Sequence, residues 1–183
     1  MKALDLLKDL FRHMEWADAA VWRAVLSSSA AADDERIKNC LHHIHMVQHA
    51  FIDVWREQPH SANAGSELAL AELPEWGGQF HQLAVGYLQT LSEEDLDSPM
   101  VMPWAKYLTK HLGRDPDSTT KGETILQVAA HSTYHRGQVN ARLRELGSEP
   151  PLVDYIAWIW FGKPAADWRA LPADDSGDRG HRI

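Results

Sequence analysis

The pattern of hydrophobic positions along the chain predicts long amphipathic helices. In residues 2–28, apolar side chains recur every three or four positions, which is the spacing of one helix face. They are Leu4, Leu7, Phe11, Met14, Ala17 or Asp18, Val21 and Val25. A second helix is predicted over about 35–57, with Asp33 or Asp34 as its N-cap. Its apolar set is Ile37, Leu41, Ile44, Val47, Phe51, Val54 and Trp55.

A third helix, over about 68–92, has a less regular pattern. Its apolar period is held by Leu83, Tyr87 and Leu91. Pro74, Gly77 and Gly78 lie inside the predicted range and indicate a late or broken start, because neither residue type favours a helix interior.

The segment before the last long helix is interrupted by prolines. Residues 97–118 contain three prolines and predict a long irregular connection, with a short hairpin at 99–108. Thr120 and Glu123 then fit a capping box that opens a fourth helix over about 121–146. Gly147 ends that helix, and a short aromatic helix or turn follows at 154–161.

Four amphipathic helices of similar length predict an all-α fold, a four-helix bundle. It has a long irregular connection before the fourth helix and a short C-terminal helix. The chain of 183 residues is long enough for one domain with its own core. We place that domain at residues 1–163 and a partly disordered tail at 164–183.

Charge and composition narrow the classes of partner. The net charge of −8 disfavours binding to nucleic acid and to anionic membrane surfaces. Cys40 is the single cysteine, so no internal disulfide can form, which fits a reducing compartment. The N-terminus lacks the pattern of a signal peptide, and no run of 18 apolar residues exists. These observations predict a cytoplasmic protein.

Two histidines four residues apart suggest a metal site on the fourth helix. His131 and His135 have the spacing with which one helix face presents two imidazoles to a single ion. The predicted buried stripe contains Ile125, Val128, Val139, Leu143 and Leu146. His135 falls within that stripe, and His131 lies about 90° from its centre. Ser132 stands where zinc proteases of this spacing have a glutamate, so their general base is missing.

A third ligand should come from the second helix, which offers four histidines. His42 and His49 point away from the apolar stripe and are predicted to face solvent, whereas His43 and His45 lie on its two flanks. The side chains of Met46 and Ala50 extend the apolar surface on the side of His43, which favours His43. The pair His45 and His49 remains a rival. Spacing alone leaves a metal site and a purely structural cluster open, but a shared metal removes the cost of burying unpaired imidazoles.

The segment HSTYHRGQ at 131–138 resembles the fourth-helix signature of the DinB-like (YfiT-like) superfamily of metal-binding four-helix bundles. LRELG at 143–147, the proline pair at 150–151 and Asp154 continue that similarity. His43 followed by Phe51 resembles the second-helix signature, and Trp16-Ala17-Asp18 resembles a triplet of the first helix. The resemblance covers about residues 5–160.

The resemblance implies a divalent metal, most often zinc or nickel with iron or manganese possible, held by His43, His131 and His135. It also implies a homodimer. Three protein ligands leave at least one coordination position open, which could hold water or a thiolate. Relatives of this kind include enzymes that use low-molecular-weight thiols, so the first hypothesis is a metal-dependent thiol S-transferase acting on a small molecule. The alternatives are a hydrolase that uses metal-bound water and a non-catalytic metal-binding protein of the stress response.

Other residues receive structural interpretations. Arg136 is expected to hold a carboxylate of a neighbouring helix in preference to an anionic substrate group. Cys40 is expected to be a packing residue, since it lies in the middle of an apolar helix. Tyr155, Trp158 and Trp160 are expected to cap the open end of the bundle.

Overall fold

The computed structural model describes residues 2–61 and 63–169 of the chain. Four long helices form the body of this part: α1 (Ala3–Leu26), α3 (Glu35–Trp55), α4 (Leu73–Thr90) and α6 (Lys121–Glu145). Three short helices are α2 (Ser29–Ala32), α5 (Thr109–Leu112) and α7 (Tyr155–Trp160). Two 3-10 turns occupy Glu94–Asp97 and Ala105–Leu108, and the strands β1 (Pro99–Met100) and β2 (Thr119–Thr120) pair antiparallel.

The predicted four-helix bundle is confirmed. Both α1 and α3 pack against α4 and against α6, so the order around the bundle is α1, α4, α3, α6. The predicted caps are also present. The Asp34 carboxylate accepts a hydrogen bond from the backbone N–H of Ile37, and Thr120 and Glu123 form a reciprocal capping box. None of the helices in the described ranges is long and apolar enough to cross a membrane.

The predicted apolar row of the third helix is only partly confirmed, because Tyr87 and Leu91 are partly buried and pack against the core but Leu83 does not. Helix α4 starts at Leu73, and its buried side includes Phe80, Ala84 and Leu88, whereas Leu83 is 37% exposed. Both rows repeat every four residues, so both satisfy the helical period. The buried row also contains Gly77, whose small size lowers its apparent hydrophobicity but lets α4 approach α3 closely. A Cβ atom at that position would lie 2.4 Å from the His45 ring.

The predicted hairpin at 99–108 is also wrong. The strand at Pro99–Met100 pairs with Thr119–Thr120, immediately before α6, and residues 105–112 are helical. The backbone N–H of Lys121 adds a hydrogen bond to the carbonyl of Ser98. The two ends of the connection are therefore tied together at the start of α6. We call residues 101–118, between the two strands, the connection loop.

Two apolar clusters fill the bundle, one on each side of a layer of buried polar side chains. One cluster lies near Phe11, Ile52 and Phe80, and the other near Val21, Ile44 and Leu143. The layer between them, here called the polar layer, consists of Asp18, His45, Gln48, His81, Ser132 and Arg136. Each of these side chains is at most 3% exposed. All four long helices contribute to the layer.

The C-terminal segment packs partly as expected. Tyr155 and Trp158 contact the ring of His13 on α1, and Trp158 is buried, but Trp160 is 77% exposed and does not cap the bundle. Residues 164–169, assigned to the tail from the sequence, lie along α1 and α4. Asp167 pairs with Arg23, and Trp168 contacts the ring of His81. The rest of the predicted tail, 170–183, lies outside the described residues.

Candidate metal centre

Three histidines from two helices converge at one edge of the bundle. His43 on α3 faces His131 and His135 on α6, and the ligand atoms of the three side chains lie within 4.8 Å of one another. The Nε2 atoms of His43 and His131 are 3.2 Å apart. Each side chain is half-buried, so the cluster is held by the bundle but remains open to solvent on one side. The three residues selected from the sequence are thus brought together.

This geometry suits a metal ion. Two imidazole nitrogens bound tetrahedrally to one ion at about 2.0–2.1 Å lie about 3.3 Å apart, close to the observed Nε2–Nε2 separation of 3.2 Å. Imidazole nitrogen is a good ligand for zinc, nickel, iron and copper. The three-histidine group could therefore bind a divalent ion and would leave coordination positions for another molecule.

The surroundings keep two of the imidazoles, those of His43 and His131, in the form that binds metals. Burial lowers the pKa of His43, and the neighbouring histidines His135 and His42 lower it further. Burial, together with His135 and His43, lowers the pKa of His131 to about 4. Both side chains are consequently neutral at neutral pH, and their nitrogen lone pairs are available without release of a proton.

The Nδ1 atoms of His135 and His131 differ in their hydrogen bonding. The Nδ1 atom of His135 donates to Oε1 of Gln138 at 2.8 Å, which directs its Nε2 atom toward the cluster. Within the described part of the chain, Nδ1 of His131 has no hydrogen-bond partner. Cys40 lies nearby, with its Sγ atom 3.9 Å from Nδ1 of His135. Its thiol pKa is raised by burial, which agrees with the packing role predicted for it.

Beneath this edge, the polar layer forms a directed series of hydrogen bonds. Nε1 of Trp22 donates to Nε2 of His45 at 2.8 Å, and Nδ1 of His45 donates to Oε1 of Gln48 at 2.7 Å. The Gln48 amide donates in turn to Oδ2 of Asp18 at 2.8 Å and to Ser132 at 3.1 Å. A carboxylate can only accept, so the order of donors fixes both the orientation of the Gln48 amide and the tautomer of His45.

Asp18 is the centre of this layer. Its carboxylate accepts from Nη1 of Arg136 at 2.7 Å and from Nε2 of His81 at 2.9 Å, besides Gln48. Burial alone would raise the pKa of Asp18, but the guanidinium of Arg136 and the bond from His81 hold it well below its usual range. Asp18 is therefore ionised, and Arg136 holds a carboxylate of a neighbouring helix, as the sequence predicted.

His45 belongs to the polar layer and is kept neutral there. Burial lowers its pKa from 6.5 to about 4, and its two ring nitrogens are already committed to one donor and one acceptor. Between pH 6.5 and about 4, the unfolded chain takes up a proton at this side chain, whereas the folded chain does not. The free energy of unfolding therefore falls as the pH falls through that window.

The predicted exposure of His42 and His49 is wrong. The imidazole of His49 stacks on Trp76 with ring centroids 4.5 Å apart, and its Nε2 atom donates to the backbone carbonyl of Trp76. The His42 ring also stacks on Trp76, at 5.8 Å, and its Nε2 atom donates to the carbonyl of Ala64. The approach of α4 and the preceding loop, which a pattern within α3 does not reveal, covers both. The rival ligand pair is not assembled, because His45 points into the polar layer.

The buried stripe of α6 contains Ile125, Val128, Val139 and Leu143 as predicted, but His135 is not within it. Ser132 and Arg136 occupy its centre, and both His131 and His135 lie at its margin. The prediction had to interpolate across ten residues without an aliphatic anchor between Val128 and Val139. Sequence reasoning did not consider Gln48 and His81 of the polar layer, named Asp18 only as an alternative to Ala17 in the apolar stripe, and considered Ser132 only as the position of a missing general base. The available signal was one polar residue at a stripe position near the middle of each helix.

A cleft of about 700 Å³ opens beside His131, between α3, α6 and the connection loop. Its volume lies in the range of small-molecule sites, about 300–1,000 Å³. A second cleft of about 650 Å³ adjoins it and shares Phe51 and Trp104 with it. The candidate metal centre therefore has a neighbouring space in which an organic molecule can lie.

Comparisons with known proteins agree with this arrangement. The family model of the DinB family matches residues 5–166. The chain is also similar to Protein DinB of Bacillus subtilis (strain 168), with 24% identity over 177 residues that cover 87% of this chain and 96% of that protein. The match to the family model spans most of the sequence, and the chain belongs to the DinB family.

Proposed function

We propose that this DinB-family protein is a metal-dependent enzyme that activates a low-molecular-weight thiol, of the thiol S-transferase type. Its ligands are His43, His131 and His135, and its resident ion is zinc or nickel, with iron and manganese as compatible alternatives. The observation that carries the proposal is the convergence of three imidazoles within 4.8 Å at a half-exposed edge of the bundle. Three protein ligands leave room for a further ligand, as catalytic sites do and closed structural sites do not.

The reaction would join a thiol to an electrophilic carbon. A thiol R–SH and an acceptor R′–X give R–S–R′ and HX: the sulfur–carbon bond forms, X leaves with the electrons of its bond to carbon, and the thiol proton is released. A bound divalent ion would supply a position that holds the sulfur and lowers the pKa of the thiol. The chain holds the imidazoles of His43 and His131 neutral, directs His135 through Gln138 and provides the cleft beside His131 for the acceptor.

Metal content tests the ligand set. Tag-free protein loaded with zinc and freed of excess should contain about one ion per chain, and His131→Ala should lose it, because two imidazoles hold an ion weakly. His42→Ala is the matched control, since His42 is a half-buried histidine of the same helix as His43 and lies outside the cluster. Metal retained by His131→Ala but lost from His42→Ala would refute the assignment.

Cobalt-substituted protein tests the thiol. Addition of glutathione, bacillithiol or mycothiol should produce a sulfur-to-metal charge-transfer band, and its apparent affinity should rise with pH because thiolate formation releases a proton. Absence of a band with every thiol between about pH 6 and 9, where imidazoles and thiols titrate, would contradict the proposal. A hydrolase using metal-bound water, or a metal-binding protein without turnover, would then be favoured.

We also propose that the protein is a homodimer. Helix α7 carries Ile156, Ile159 and Trp160 at the spacing of one face, and all three are exposed, Trp160 by 77%. Such apolar faces commonly mark interfaces. Light scattering after gel filtration should give a dimer for the wild type and a monomer for Trp160→Asp, with Val101→Asp, an exposed apolar position in the connection loop, as the control. A wild-type monomer at micromolar concentration would refute the dimer.

A further inference from the structure

The cleft beside His131 has aromatic and apolar walls. The rings of Phe51 and Trp104 meet edge to face with centroids 5.0 Å apart, and the His60 ring also meets Trp104 edge to face, at 5.4 Å. Val47 and Met46 of α3 complete the apolar floor. Two neighbouring rings thus fix the position of the Trp104 indole, and a fixed indole favours stacking with a planar ligand.

The charge of the cleft is positive although the chain as a whole is acidic. Lys106 lines it, and none of the described lining residues is an aspartate or a glutamate, against a net charge of −8 for the protein. Lys106 is exposed and lies at the solvent-facing rim of the cleft. Its ammonium is 5.3 Å from the centroid of the Tyr107 ring, a favourable cation–π distance. The cleft therefore favours a ligand with an anionic group at this rim.

The rim itself exposes apolar side chains. Tyr107 is 75% exposed and Leu108 is 50% exposed, and both line the cleft. Apolar groups collected around a concave surface are typical of a binding site, because a bound ligand removes them from water.

We propose that this cleft binds the acceptor substrate, a planar aromatic molecule with an anionic group. Its ring lies against Trp104, and its anionic group lies near Lys106, so that the molecule sits next to the three histidines. Trp104 and Lys106 are the residues that determine specificity for it. The role of this molecule as the acceptor rests on the proposed S-transfer, whereas its binding does not.

Calorimetry on metal-free protein tests the proposal. The probes are naphthoate, naphthylmethanol and naphthylmethylamine, which share one ring system and carry a negative, no and a positive charge. Metal-free protein is used because a carboxylate could otherwise bind the ion itself. Naphthoate should bind best and naphthylmethylamine worst, with about a three-fold step for each change of charge, the size expected for an exposed ammonium.

Variants separate the contribution of stacking on Trp104 from that of the charge of Lys106. Trp104→Ala should weaken all three probes by about ten-fold, since it removes the stacking surface. Phe161→Ala removes an exposed aromatic ring outside the cleft lining and should leave them unchanged. Lys106→Gln should abolish the preference for naphthoate but leave naphthylmethanol unaffected. Lys110→Gln is its control, because it removes the same charge from the connection loop at a position outside the cleft lining.

Failure of this inference differs from failure of the proposed function. Equal affinity for the three probes, no binding, or a Trp104→Ala variant that binds like the wild type would overturn the aromatic-anion site. Such a result together with a cobalt–thiol band would refute the aromatic-anion site but support the proposed activation of a thiol. Naphthoate binding that depends on Trp104 and Lys106, without any cobalt–thiol band, would support the site and refute the S-transfer.

Discussion

Replacement of Asp18 by asparagine is expected to lower the free energy of unfolding by about 3–5 kcal/mol, the usual cost of breaking a buried ion pair. Asparagine has nearly the same shape, so the change creates no cavity. The guanidinium of Arg136, 2% exposed, would keep its charge because it cannot lose a proton at any accessible pH. The new amide group would also point N–H donors at His81 or Gln48, which themselves donate to Asp18.

Urea denaturation of metal-free protein, followed by circular dichroism, measures this loss. For a chain of this size, about 2–4 °C of melting temperature is lost per kcal/mol, so a drop of about 6–20 °C should accompany it. Asp117→Asn is the control. Asp117 is also paired with an arginine, Arg114, by two hydrogen bonds, but both side chains are more than 60% exposed, and its loss should cost under about 1 kcal/mol.

A double-mutant cycle with Arg136→Met tests the cause. The double variant Asp18→Asn/Arg136→Met contains neither buried charge, so its destabilisation should be smaller than the sum of the single changes by at least about 2 kcal/mol. Additive costs, or a loss below about 1 kcal/mol for Asp18→Asn alone, would refute the view that the polar layer is a charge-compensated unit.

Two further predictions concern His45 and the helix that packs on it. As the pH falls from about 6.5 to 4, the free energy of unfolding of the metal-free wild type should fall by about 3 kcal/mol more than that of His45→Gln. The reason is that only the folded wild type must keep this imidazole unprotonated. Equal slopes of denaturation midpoint against pH for the two proteins would contradict this. Gly77→Ala should destabilise by about 1–3 kcal/mol through overlap with the His45 ring. At Gly86 on the same helix, an added Cβ would meet no atom of the described residues within 4 Å, so Gly86→Ala should stabilise by about 0.5–1 kcal/mol. The same sign for both glycine variants would exclude the contact with His45 as the cause.

The features that the sequence predicted correctly are local ones. The N-caps of α3 and α6 depend on side chains within three residues of the bonds that they form, so Asp34 and Thr120 could be identified from the sequence. His131 and His135 lie one above the other because a helical turn places them there. Only the choice of His43 required an assumption about a second helix, and the apolar surface that Met46 and Ala50 add on its side of α3 favoured it.

The features that the sequence did not reveal depend on contacts between helices. The buried row of α4 became clear only from its contact with α3, where Gly77 makes room for His45. Asp18, on α1, receives donors from three other helices that are distant in sequence. Considered alone on its own helix, each polar residue of the layer looks like an interruption of the apolar stripe. The donors and acceptors of the layer match one another only when the order of the helices around the bundle is known.

The polar layer lies level with the three histidines, since residues 43–48 of α3 and 131–136 of α6 contribute to both. Apolar contacts between helices are not directional, so they would oppose a shift of α6 along its axis only weakly. A shift by one turn, about 5.4 Å, would however break the hydrogen bond of Arg136 to Asp18. We infer that the layer sets the register that opposes His43 to His131. The Asp18→Asn/Arg136→Met double variant, which lacks buried charges, should therefore fold but bind zinc about ten-fold more weakly in competition with a chelator. Unchanged zinc affinity would show that the apolar clusters alone determine the register.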